Sequence, residues 1–115
     1  MIIGLLKEPS HETRVSLLAE GVATLTKKGI TVLVEAGAGQ KAFCADTDYE
    51  KAGAQINNRN QVLASSNIIL VIHPLSESDI ANLTSNILIG VYQPLFNVPL
   101  MQQWAAKGIT SFSLD

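Results

Sequence analysis

The stretch Ile30-Thr31-Val32-Leu33-Val34-Glu35-Ala36-Gly37-Ala38-Gly39 decides the fold. Its first half is apolar and rich in β-branched residues, the pattern of a strand buried on both faces. Two glycines then end it in a turn. Upstream, Leu17, Leu18, Val22 and Leu25 recur at helical spacing, with Ser16 as the expected N-cap and Gly29 as the stop. A buried strand that follows a helix this closely belongs to a β-α-β rhythm.

The rhythm holds in both directions. Ile2 to Leu6 is a short apolar run that ends in a charged, Pro-containing loop from Lys7 to Arg14. Downstream, a short helix is expected over Asp48 to Ala52, a small extended piece over Ala54 to Ile56 and a helix over Asn60 to Ser65. Ile68 to Ile72 reads as a strand ended by His73-Pro74, Glu77 to Leu83 as a brief helix, and Ile87 to Tyr92 as a strand ended by Gln93-Pro94. Pro99 to Lys107 is a helix with Pro in its first turn, Gly108 stops it, and Ile109 to Phe112 is a last strand. Strands alternating with helices over short connections predict an α/β fold of three layers, α/β/α. The sheet should be mostly parallel and flavodoxin-like, with about five strands.

Composition agrees. The 115 residues suit a single domain spanning 1–115, and 47% hydrophobic content with only 5% aromatics suits a sheet covered by helices. The net charge is −2 and the 8 basic residues are scattered, so no basic stripe is present to neutralise a nucleic-acid backbone. The single Cys44 leaves no internal disulfide framework and points to a reducing compartment. No apolar run reaches the length of a membrane span, and Lys7 and Glu8 close the opening run too early for a signal peptide. A soluble, cytoplasmic domain is expected, with no insertion into a membrane by the domain itself.

In a parallel sheet, ligands bind beyond the carboxyl ends of the strands. Those ends carry Lys7 to Arg14, Glu35 to Gln40, His73-Pro74 and Tyr92-Gln93-Pro94. Arg14 is either a clamp for a carboxylate or phosphate, or a surface partner of Glu8 or Glu12. His73 is either a general acid or a structural residue at a strand end. Gly37-Ala38-Gly39-Gln40-Lys41-Ala42 fits the loose dinucleotide pattern G-x-G-x-x-A. No helical apolar stripe follows over residues 40 to 47, however, so it reads as a tight turn. His11 has only Glu12 at ligand spacing, which argues against a metal site. Cys44 reads as a buried or half-buried thiol, and Leu100 and Trp104 as core.

Taken together, Met1 to Glu8, the His11-Glu12-Thr13-Arg14-Val15 loop, Val32 to Gly39, Asp48-Tyr49 with Ala52-Gly53-Ala54, and Asn67 to Pro74 resemble the start of the alanine dehydrogenase/NAD(P) transhydrogenase family. The Glu-x-Arg-Val loop joined to the Val-Glu-x-Gly-Ala-Gly turn is the more specific part. The resemblance implies an N-terminal domain that faces a Rossmann domain across a cleft, with NAD bound mainly by the latter. Asp115 follows a strand directly, so the chain is expected to be a fragment, inactive alone, cut before that second domain. Arg14 matches a family arginine that faces the cleft. Alanine dehydrogenases carry a substrate-binding lysine at the end of the third strand and a catalytic histidine at the end of the fourth; His73 and Gln93 stand there.

Losing both groups favours the transhydrogenase branch, in which hydride passes from NADH to NADP on a partner beta subunit, coupled to proton movement through membrane segments. The full-length protein is then expected to be a homodimer. The alternatives are an alanine dehydrogenase or saccharopine dehydrogenase-like enzyme, or a non-catalytic binding or assembly module.

Overall fold

The computed structural model of the chain describes residues 1–83, 87–95 and 97–114; Asp115, the strand-terminal end of the chain, lies outside the described residues. Among the described residues six strands form one parallel sheet: β1 (Ile2–Leu5), β2 (Thr31–Glu35), β3 (Gln55–Asn57), β4 (Ile68–Leu70), β5 (Ile87–Gly90) and β6 (Thr110–Ser113). The α-helices described between them are α1 (Ala19–Lys27), α2 (Asp46–Lys51), α3 (Arg59–Ser65), α4 (Glu77–Ala81) and α5 (Val98–Ala106). The strand order is β3-β2-β1-β4-β5-β6. Without β3, the order of the other five is the flavodoxin-like 2-1-3-4-5. The small extended piece anticipated near residue 55 is the sixth strand, added at the edge by pairing Val34 with Ile56.

Alternation along the strands builds two cores. On one face Leu6, Leu33, Ile69, Val71, Leu88 and Tyr92 meet Val62 and Leu63 of α3, Ile80 of α4 and Trp104 of α5. Tyr92 and Trp104 pack edge to face at 5.1 Å, worth about 1 kcal/mol beyond their burial. On the other face Leu5, Val32 and Val34 meet Val22 of α1 and Tyr49 of α2. The three layers predicted from the sequence are therefore present. Gly4 lets α3 approach β1: a Cβ there would lie 2.2 Å from Ser66 Oγ and 2.8 Å from Val62. No helix among the described residues is long and apolar enough to cross a membrane.

One local expectation fails. Ser16 does not cap α1, which starts at Ala19 with Leu18 as its uncapped N-cap residue. The cause is remote in sequence. Tyr49 Oη donates to the Leu17 carbonyl at 2.7 Å, so Leu17 serves α2 rather than a helical turn. Ser16 Oγ is buried with no partner among the described residues.

Candidate functional site

β1 lies between β2 and β4 and is where the strand order reverses, the switch point at which open α/β sheets bind ligands. Two chain segments leave the sheet there. The first, after β1, carries Glu8, which is buried and caps the end of β4. Its Oε2 accepts the Ile72 N–H at 2.8 Å and its Oε1 the His73 N–H at 3.0 Å. Two donors that have no further strand to pair with are thus satisfied by one carboxylate.

The same segment then turns back on itself, with the Glu12 N–H bonded to the Pro9 carbonyl. Lys41 Nζ reaches across from the turn after β2 to the Ser10 carbonyl. Glu12 therefore lies beside His73, with His73 Nε2 2.7 Å from Glu12 Oε1. Arg14 grips the same carboxylate through Nη2 at 2.8 Å and Nε at 3.0 Å. Of the two partners considered for Arg14, the fold selects Glu12 and uses Glu8 elsewhere. Hydrogen bonds from Arg14, side chain first and then backbone, hold the Glu12 carboxyl well below the usual carboxylate range, and His73 adds to this. Glu12 in turn raises Arg14. His11 lies edge-on to His73, with ring centroids 5.2 Å apart.

β5 supplies the third group. Gln93 follows Tyr92 with φ at +46°, a left-handed backbone that a non-glycine residue seldom adopts. Asn97 holds this bend: its N–H bonds to the Gln93 carbonyl at 3.1 Å and its Nδ2 to the Tyr92 carbonyl at 2.6 Å. Arg14, His73 and Gln93, the three residues chosen from sequence, line one cavity of about 150 Å³ together with Asn97. Arg14, Ile72 and Val91 also border an adjoining apolar groove of about 380 Å³ over β4 and β5. Another concavity, of about 400 Å³ beside Leu18, Phe43 and Lys51, lies over α1 and α2. It is lined by none of Arg14, His73 and Gln93.

The glycine turn after β2 does not suit a pyrophosphate. The Gly37 N–H is already bonded to Asp46 Oδ1 at 2.9 Å, so a carboxylate occupies the place an anion would need. Space beside Gly39 is filled by Tyr49, and a three-residue 3-10 helix (Gln40–Ala42) follows instead of an α-helix. The turn reading of Gly37 to Gly39 matches this geometry.

Sequence reasoning missed a second cluster at the same sheet edge. Arg59, at the start of α3, grips Asp79 of α4 through Nε at 2.9 Å and Nη2 at 2.7 Å, and Glu35 of β2 through Nη1 at 2.7 Å. Nη1 also donates to the Lys7 carbonyl. Arg59 thereby ties the ends of β1 and β2 to α4. Nothing in the spacing of residues 35, 59 and 79 signals this, because only strand order brings them together.

The profile of the family described as "Alanine dehydrogenase/PNT, N-terminal domain" matches residues 4–115. The alanine dehydrogenase of Mycolicibacterium smegmatis is 30% identical over 118 residues, which cover 100% of this chain and 32% of that protein. That of Staphylococcus saprophyticus is 34% identical over 98 residues, covering 84% of this chain and 26% of that protein. Among solved structures, the transhydrogenase from Sinorhizobium meliloti is similar with a TM-score of 0.91 and 30% identity, over 98% of this chain and 34% of that one. An L-alanine dehydrogenase is similar with a TM-score of 0.90 and 28% identity, over 98% of this chain and 32% of that one. The chain spans about a third or less of the length of these proteins.

Proposed function

The chain belongs to the alanine dehydrogenase/PNT family as its N-terminal domain, and from that premise we propose that it forms one wall of the nicotinamide cleft in the NAD(H)-binding alpha subunit of a proton-translocating transhydrogenase. The named relatives are oxidoreductases. In this reading hydride passes from NADH to NADP on a partner beta subunit, coupled to proton movement through membrane segments. NAD is held mainly by a Rossmann domain outside these 115 residues, and the whole protein is a homodimer.

The observation that carries the reading is the chemistry of the 150 Å³ cavity. Its lining carries Arg14, His73, Gln93, Asn97 and the buried Tyr92, with no lysine among the described residues that form it. The Arg14 charge is already balanced by Glu12, and the amide of Gln93 cannot titrate. A bound nicotinamide supplies the hydride. Its passage to a second nicotinamide protonates no oxygen or nitrogen, so this wall needs to bind and to exclude water rather than to deliver a proton. Reductive amination instead needs a carboxylate anchor and a proton donor beside the carbonyl. The cavity is far too small for a dinucleotide, and the Gly37 N–H is already taken by the Asp46 carboxylate. Both facts agree with NAD being held by another domain.

One observation favours a second reading. A histidine oriented by a carboxylate, as His73 is by Glu12, is a serviceable acid–base pair for an alanine dehydrogenase. The assay that separates the two mixes the protein, as it occurs in its cell, with its NADP-binding partner, NADH and NADP⁺. NADPH formation is expected, and its absence overturns the proposal.

A further inference from the structure

We propose that Glu12 is the positioning residue of this wall: its one carboxylate sets both the guanidinium edge that Arg14 presents and the ring nitrogen that His73 offers. This rests on the reading of the cavity as part of a cleft. A carboxylate has about four acceptor positions. Glu12 fills all of them from two residues. Oε2 accepts the Arg14 backbone N–H at 3.0 Å and Arg14 Nε at 3.0 Å, and Oε1 accepts Arg14 Nη2 at 2.8 Å and His73 Nε2 at 2.7 Å. No acceptor remains for a ligand, so Glu12 acts through its partners and is not itself a catalytic residue.

Two consequences follow from the geometry. Arg14 has its Nε–Nη2 side engaged, and Nη1 takes no partner among the described residues. The end-on fork of a guanidinium is the part that recognises a planar oxygen acceptor, and here it is the part left available. The Arg14 side chain is 69% exposed, whereas that of Glu12 is only 9% exposed. A freely rotating surface arginine is thereby turned into an oriented one. For His73, an ionised carboxylate at Nε2 requires the proton on that nitrogen. Nδ1 is then the nitrogen with the lone pair in the neutral ring, and no group among the described residues hydrogen-bonds it. The oriented fork and the chosen tautomer thus come from one side chain.

The test is nitrogen NMR of labelled histidine and arginine in the full chain at alkaline pH, where imidazoles are neutral, for the wild type, Glu12→Gln and Glu12→Asp. The wild type should show His73 as the Nε2–H tautomer and a slowly exchanging Arg14 Nε–H. Glu12→Gln keeps the length but loses the charge and one acceptor oxygen. It should give a mixed His73 tautomer and speed Arg14 Nε–H exchange by about ten-fold, the loss of roughly one hydrogen bond. Glu12→Asp keeps the charge at shorter reach, so the Arg14 signal should stay slow while the His73 tautomer becomes mixed. A wild-type His73 in the Nδ1–H form overturns the proposal, as do signals unchanged in a folded Glu12→Gln. If Glu12→Gln does not fold, an unchanged His73 tautomer in Glu12→Asp overturns it equally. A wild-type protein without NADH-to-NADP hydride transfer would sink the proposed reaction, and the spectra would still decide the role of Glu12.

Discussion

Replacing Glu8 by Gln should be among the most destabilising single-atom changes available in this chain. Glu8 is 7% exposed, and each carboxylate oxygen takes one backbone donor, Ile72 N–H at 2.8 Å and His73 N–H at 3.0 Å. A carboxamide keeps one acceptor and places an NH₂ against the other donor. One hydrogen bond to a charged group, worth about 1.5–3 kcal/mol, is lost outright, and a part-buried N–H is left unsatisfied at a further cost of about 1–3 kcal/mol. The sum is about 2.5–6 kcal/mol, against a total stability on the order of 5–15 kcal/mol for a domain. With a urea slope of about 1–3 kcal/mol per M, the unfolding midpoint should fall by about 2 M. Equilibrium urea unfolding followed by Trp104 fluorescence reads this directly. Glu50→Gln, at an exposed site, is the control and should stay within about 0.5 kcal/mol of the wild type. A Glu8→Gln variant as stable as that control would refute the view that Glu8 ties the β1 loop to the end of β4.

Three further outcomes are expected. Arg59→Met should cost about 2 kcal/mol at neutral pH, between the values for exposed and buried pairs, because Arg59 is 32% and Asp79 14% exposed. Arg59 holds the Asp79 carboxyl below its ordinary value, so that contribution is present above pH of about 4 and is lost as the pH falls through the folded value. The gap between wild type and Arg59→Met in urea titrations should therefore narrow in acid, and a gap that widens there would contradict the pairing. Phe43→Gly should stabilise by about 0.5–1 kcal/mol in thermal melts, since Phe43 is 98% exposed at φ +60° and glycine adopts that backbone freely; a lower melting temperature would count against strain at this bend. Tyr92→Phe should be neutral or raise stability by about 1 kcal/mol, because the buried Tyr92 hydroxyl has no partner among the described residues, and a loss above about 1 kcal/mol would show that the hydroxyl is bonded in solution.

Much of this fold was legible in the sequence because β1, β2, β4 and β5 are continuous apolar runs and Gly29 and Gly108 stop α1 and α5. Ile68 and Val32 needed no knowledge of their neighbours to be read as buried in a sheet. β3 was harder: Gln55 to Asn57 is short and partly exposed, and only pairing with β2 makes it a strand. The start of α1 was misread because Ser16 has the right chemistry for a cap, while the deciding bond comes from Tyr49, 32 residues away. The site divides the same way. Arg14, His73 and Gln93 could be chosen because chain direction alone sends the ends of parallel strands to one edge. Their pairings could not, since the Glu12–His73 contact spans 61 residues and the Arg59 clamp joins residues 20 and 24 apart through the strand order.

In the proposed reading this family domain walls a cleft for hydride transfer between nicotinamides rather than for reductive amination. That reading is tested most directly by following NADH oxidation in the native protein with two sets of acceptors in parallel. One is an NADP analogue with the NADP-binding partner subunit; the other is pyruvate with ammonium. Oxidation dependent on the NADP analogue, with none on pyruvate and ammonium, is the predicted result. Oxidation that requires pyruvate and ammonium, and ignores the NADP analogue, would contradict it and favour the reading in which His73, oriented by Glu12, is the acid–base group.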